Sequence, residues 1–222
     1  MATDLPPDLA RLYTATRPAI LARLADFAAV PQSEWFYELC YCLLTPQSRA
    51  AHAGLVVAAL KEQRFFEDGG DMLHLLRNKE TYIRFHNVKH RRLHAVRERW
   101  SEIERLLESG RTGIPGLVST GIEAASSLAL RDTLVRVVGG FGMKEASHFL
   151  RNIGFRGLAI LDRHLLTNLV RCGVYAEVPL VSTPARYRLV EQAFLKFADD
   201  AQIDLDELDL LFWSAQTGII LK

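Results

Sequence analysis

The sequence predicts an all-α fold of roughly ten short helices, on three observations. Apolar residues recur at three- and four-residue spacing along most of the chain. No strand-like alternation persists beyond a few residues. The separators are short and marked by Gly, Pro, Ser or Thr, as in "EDGGD", "RTGIPG", "GGFG", "GFRG" and "EVPLVSTP".

The elements follow in order. "LARLYTATRPAILARLADFAAV" (9–30) has helical periodicity, with Pro18 as a break or kink. "SEWFYELCYCLL" (33–44) opens on Ser33 as a cap and is apolar nearly all round, which predicts a central buried helix holding Cys40 and Cys42 as core thiols. "TPQSRAAHAGLVVAALKEQ" (45–63) places Pro46 at a helix start. Further helices are expected at 71–77, 88–109, 121–130, 131–138, 143–153, 162–171, 184–199 and 204–216. Tandem repeats and low-complexity tracts are absent.

At 222 residues the chain suits one large domain or two closely packed lobes. Its 49% hydrophobic and 24% charged residues are ordinary for a globular protein. No apolar run approaches the roughly 20 residues that span a bilayer. The opening "MATDLPPDLARLY" has an acid and prolines where a signal peptide has basic and then apolar residues, so an intracellular protein is expected. Three cysteines (Cys40, Cys42, Cys172) make neither a disulfide framework nor a four-thiolate metal site. A net charge of +1 gives no global case for nucleic acid, but the charge is uneven. "RFHNVKHRRLHAVRER" (84–99) carries six Lys/Arg and three His against one Glu, and "DDAQIDLDELD" (199–209) carries six acids and no base. A neutral protein can present one basic face; the plainer reading is a solvated helix face.

"DTLVRVV-GGFG-MKEASHFLRN" reads as helix, turn, helix. Gly140 and Gly142 flank Phe141, and such a turn needs positive φ or close backbone approach, which glycine permits. Free N–H groups of the turn and of the following helix would make a phosphate site, with Phe141 plugged between the helices. This is a helix-hairpin-helix pattern, although an ordinary αα-hairpin reads the same way. Lys144 falls in the first turn of the second helix, where the macrodipole repels a cation. A free lysine is only about 0.04% neutral at pH 7, and repulsion with desolvation would expose a nucleophilic amine. A solvated lysine or a phosphate contact is the alternative. Asp162, eighteen positions on, looks like the cap of its own helix, and a fixed carboxylate there could also stabilise positive charge on a sugar or assist proton transfer.

"GMKEASHFLRNIGF" with "LAILDRHLL" closely resembles the archaeal-type, second class of 8-oxoguanine DNA glycosylase/AP lyases within the helix-hairpin-helix superfamily. "EWFYELCYCLLT" and "LDELDLLFWSAQTGIILK" look similar too, so the resemblance runs from about residue 33 to 222. It implies two helical lobes, 31–154 and 1–30 with 155–222, and a bifunctional enzyme that excises oxidised guanine from double-stranded DNA and nicks the abasic strand. Lys144 matches the Schiff-base lysine, Asp162 the essential aspartate, and Lys222 a C-terminal lysine whose carboxylate helps recognise the base. Trp213 and Phe85 are candidates to stack on the extruded base or else to pack the core, Gln47 to enter the duplex gap or else to stand in the first turn of a helix, Gly140 and Gly142 to contact DNA, and Arg163 to contact phosphate or else to pack the helix start. His164 is expected to pack the helix start.

Gly139 stands where many superfamily members have proline. With only Cys172 in the C-terminal half, no iron–sulfur cluster is expected, nor any other metal or cofactor. The remaining expectations are a monomer in the cytoplasm, associated with the nucleoid. Other glycosylase specificities, a non-catalytic DNA-binding module and an interaction domain without nucleic acid are the rival readings.

Overall fold

The computed structural model describes residues 5–111 and 120–218. Every regular element among them is helical: α1 (Pro7–Ala28), a 3-10 turn (Gln32–Glu34), α2 (Trp35–Leu44), α3 (Ala50–Glu62), α4 (Phe65–Asp68), α5 (Leu73–Arg77), α6 (His86–Glu98), α7 (Trp100–Arg111), α8 (Thr120–Val137), α9 (Met143–Asn152), α10 (Arg163–Arg171), α11 (Pro184–Ala201) and α12 (Leu205–Thr217). No helix among the described residues is long and apolar enough to cross a membrane.

The chain forms two compact units, Val30–Phe149 and Met1–Ala29 with Leu150–Lys222. The division falls inside α9, earlier than the expected boundary at 154, because Arg151 near its C-terminus already pairs with α12 of the second unit.

The Val30–Phe149 unit is built around α2. All ten of its residues are buried, Cys40 and Cys42 among them, as its unbroken apolar composition predicts. It packs on α3 and α6, with Phe36 edge-on to Trp100 at 5.3 Å. Ser33 is not its cap: residues 32–34 tighten into the 3-10 turn, and Glu34 precedes α2 without a side-chain cap bond. Pro46 does not start α3 either. The Gln47 backbone turns left-handed (φ 55°), which delays the helix to Ala50. The expected helix 88–109 is two helices that meet at Arg99, so that Trp100 turns into the core. The expected pair 121–130 and 131–138 is the single helix α8, since nothing at Leu130–Arg131 breaks it.

In the other unit α12 packs against α1, α10 and α11. Leu9, Ile20, Leu24 and Phe27 form the buried stripe of α1, and Phe194, Phe197 and Phe212 stack between α11 and α12. Pro18 does not interrupt α1; it lies on the exposed face, where the carbonyl that loses its N–H partner is open to solvent.

Candidate active site

The hairpin joins α8 to α9 through Val138–Gly142. Phe141 is buried between the helices with its ring 6.0 Å from that of Phe149, as the pattern predicts. The two glycines sit in different surroundings, and the backbone requires only the first of them. Gly140 has φ +99°, and a Cβ there would stand 2.5 Å from the Arg92 guanidinium. Gly142 lies where a Cβ would come 3.0 Å from the Glu145 carboxylate. That carboxylate accepts the Gly142 N–H at 3.2 Å, half of a capping box. Phe141 N–H is spent on Val138 O at 3.1 Å. Gly140, Met143 and Lys144 keep backbone N–H groups with no acceptor among the described residues. The N-terminus of α9 is thus a site for an anion, beside which Glu145 already stands.

Lys144 is in the first turn of α9, its side chain 37% exposed and its Nζ 3.1 Å from Glu145 Oε1. Arg92 brings the basic run 84–99 to the hairpin turn, and Arg99 donates to Val137 O at 2.8 Å, closing the C-terminus of α8. That run is therefore not simply a solvated face. Arg97 donates to Phe66 O and Glu67 O at 2.8 Å each, and Lys89 is buried.

Lys89 was not singled out from sequence. Its signal was its place on the apolar stripe 89, 93, 96, 100 of α6 and α7. Its Nζ donates to Leu44 O (2.7 Å), Pro46 O (2.6 Å) and Ser48 Oγ (3.2 Å). Burial, followed by the charge of Arg92, lowers it to about 8; Glu145 pulls the other way, and Lys144 adds the smallest push downward. Gln47 is exposed on the turn that Lys89 holds. Phe85, 49% exposed and also left-handed (φ 60°), precedes α6 with the Arg84 guanidinium 5.0 Å from its ring centre.

In the second unit Asp162 caps α10. Its Oδ1 accepts both His164 N–H (2.8 Å) and Leu165 N–H (2.9 Å), so the cap uses one oxygen of the two. The segment leading to it is held by buried acids that the sequence shows only as the cluster 199–209 and an isolated Glu191. Gly157 N–H goes to Asp206, Ala159 N–H to Glu191, Ile160 N–H to Asp209 and Leu161 N–H to the Tyr187 hydroxyl, all at 3.1–3.2 Å. Arg151 pairs with Asp209 at 3.1 Å, and Arg156 bridges Asp204 and Asp206. Burial outweighs Arg151 and lifts the Asp209 carboxyl to about 7.

Arg163 is exposed with Nε 3.5 Å from His164 Nε2, and His164 is half-buried. Trp213 is half-buried on α12 beside the fully buried Phe212. Lys222 lies outside the described residues. Lys144, Gly140, Gly142, Gln47 and Phe85 thus belong to one unit, and Asp162, Arg163 and Trp213 to the other.

A family model described as 8-oxoguanine DNA glycosylase matches residues 20–203. The 8-oxoguanine DNA glycosylase/AP lyase of Korarchaeum cryptofilum is 34% identical over 221 residues, covering 99% of this chain and 98% of the relative. The protein of that name from Fusobacterium nucleatum is 31% identical over 222 residues, covering 97% and 96%. The Methanocaldococcus jannaschii 8-oxoguanine glycosylase/lyase, solved in complex with a 15mer DNA containing 8-oxoguanine, superposes with a TM-score of 0.76 at 27% identity, covering 93% of each chain.

Proposed function

This chain belongs to the 8-oxoguanine DNA glycosylase family, and from that membership we propose that it excises 8-oxoguanine from double-stranded DNA and cleaves the abasic strand. The observation that carries the reading is the hairpin: a lysine in the first turn of a helix whose N-terminus offers unengaged N–H groups to a phosphate.

Lys144 and Asp162 act on the same nucleotide. A base stacked in a duplex is out of reach, so the nucleotide is flipped, at a cost of a few kcal/mol offset by phosphate contacts. The neutral Lys144 amine donates its lone pair to C1′ as the C1′–N bond breaks and the base departs with that electron pair and takes up a proton. Asp162 stabilises the positive charge on the sugar and orients the amine or removes its proton. The nitrogen lone pair then forms a C1′=N bond as O4′ leaves with the ring C–O pair and takes up a proton, and the resulting protonated imine acidifies the C2′ proton. When that proton leaves, the electrons form the C2′–C3′ double bond and expel the 3′ phosphate. The chemistry uses side chains alone. Phe85 and Trp213 stack on the everted base, Gln47 fills the gap, and Arg163 meets the backbone. The enzyme acts as a monomer in the cytoplasm, at the nucleoid.

Borohydride trapping on a labelled duplex with one 8-oxoguanine tests this. Wild type becomes covalently linked to the strand, and Lys144→Gln forms no adduct while still binding DNA. Trapping by the mutant would move the nucleophile elsewhere. Binding without cleavage by wild type would leave a non-catalytic DNA-binding module.

A further inference from the structure

Gln47 and Phe85 lie 38 positions apart in the chain, yet their turns are tied into one piece by a single buried side chain. The backbone N–H of Lys89 donates to Phe85 O at 3.0 Å. Its ammonium reaches the other way, to the carbonyls of Leu44 and Pro46 that lead into Gln47 and to the hydroxyl of Ser48 that follows it. The same Ser48 hydroxyl accepts Arg84 N–H at 3.0 Å, closing the loop back to the residue before Phe85. Three acceptors match the three N–H donors of a lysine ammonium.

Both of the turn residues so held have left-handed backbones, unusual outside glycine, and both are exposed. A strained conformation persists only where its surroundings over-determine it. Here the over-determining element is a lysine that is itself 2% exposed, a placement that costs desolvation unless its partners are fixed. A scaffold that needed only a filled core at this position would be served by an apolar residue, as at Leu93 and Val96 on the same face.

We infer that Lys89 is a positioning residue for base eversion: it locks the Gln47 and Phe85 turns into one rigid edge that opens the duplex and receives the displaced base. The inference rests on the glycosylase/lyase reading. It separates the two steps of that reaction. Excision of 8-oxoguanine needs a base driven out of the stack and held. An abasic site has no base to evert, so strand cleavage there depends far less on that edge.

The test is Lys89→Met, compared with wild type on two duplexes, one carrying 8-oxoguanine and one a preformed abasic site, under single-turnover conditions. The ratio of excision to abasic-strand cleavage is expected to fall at least tenfold. An equal loss on both substrates, or no loss on either, overturns the inference and leaves Lys89 a structural residue. If circular dichroism shows Lys89→Met unfolded, Ser48→Ala decides: it removes the hydroxyl shared by Lys89 and Arg84, and the same ratio is expected to fall about threefold, with an unchanged ratio overturning the inference. Wild type inactive on both duplexes would instead refute the proposed function.

Discussion

On the proposed mechanism, Asp162 serves the fold and the chemistry with different atoms. Oδ1 carries both cap bonds to α10, and the negative charge is not needed for them, because asparagine caps helices about as well as aspartate. Asp162→Asn should therefore keep the melting temperature within about 2 °C while slowing excision by about 10²-fold or more, the usual effect of removing a proton-transfer or charge-stabilising group. Asp162→Ala should lose activity and also about 1 kcal/mol of stability. Thermal melts beside single-turnover rates check both, and wild-type turnover by the asparagine variant would reduce Asp162 to a cap. A cap is legible in sequence because donor and acceptor are two and three residues apart. Lys89 is not, because its acceptors lie more than forty residues away and its position in α6 is one that an apolar residue would fill.

Among the elements, the hairpin was legible because its glycines answer to local geometry: one left-handed backbone, one close carboxylate. The delayed start of α3 and the split at Arg99 were not, since both depend on what the neighbouring helices bury. The Gly157–Leu161 segment makes the same point, because an acidic run that looks solvated in sequence turns its carboxylates inward to hold backbone N–H groups. Asp209 is its most informative member. Because its folded pKa is raised to about 7, the folded protein keeps a proton that the unfolded chain has released above about pH 4. Its contribution to stability is therefore greatest at low pH and is lost as pH rises toward 7. Asp209→Asn lacks that dependence, so between pH 5 and pH 7 it should gain on wild type by about 2 kcal/mol in denaturant melts. Its excision rate should fall at every pH, because an amide turns a donor toward Arg151 and slackens the segment that leads to Asp162. A difference between mutant and wild type that stays constant from pH 5 to pH 7 would mean that Asp209 is ionised throughout, held by Arg151.

For the whole molecule, a net charge of +1 gives no positive field over the whole surface, so on the proposed reading affinity for DNA comes from placed contacts. The proposed site names few: the N–H groups of the hairpin, Arg92 against Gly140, and the exposed Arg84, Arg91 and Arg163. Several other cations are spent internally, Arg97 and Arg99 on carbonyls and Arg151 on Asp209. Each neutralised phosphate contributes about −0.9 to the slope of log K against log salt. Three or four such contacts predict a slope near −3 for undamaged duplex, roughly a third of that of a protein that coats the backbone. Arg92→Ala should flatten it by about 1, with little change in the ratio of lesion to undamaged binding, because phosphates carry no base information. Fluorescence anisotropy between 50 and 200 mM salt, on the order of the range over which such slopes are taken, reads both quantities. A slope as steep as about −8 would require cations from many more positions than these, and would shift the DNA-binding surface away from the hairpin.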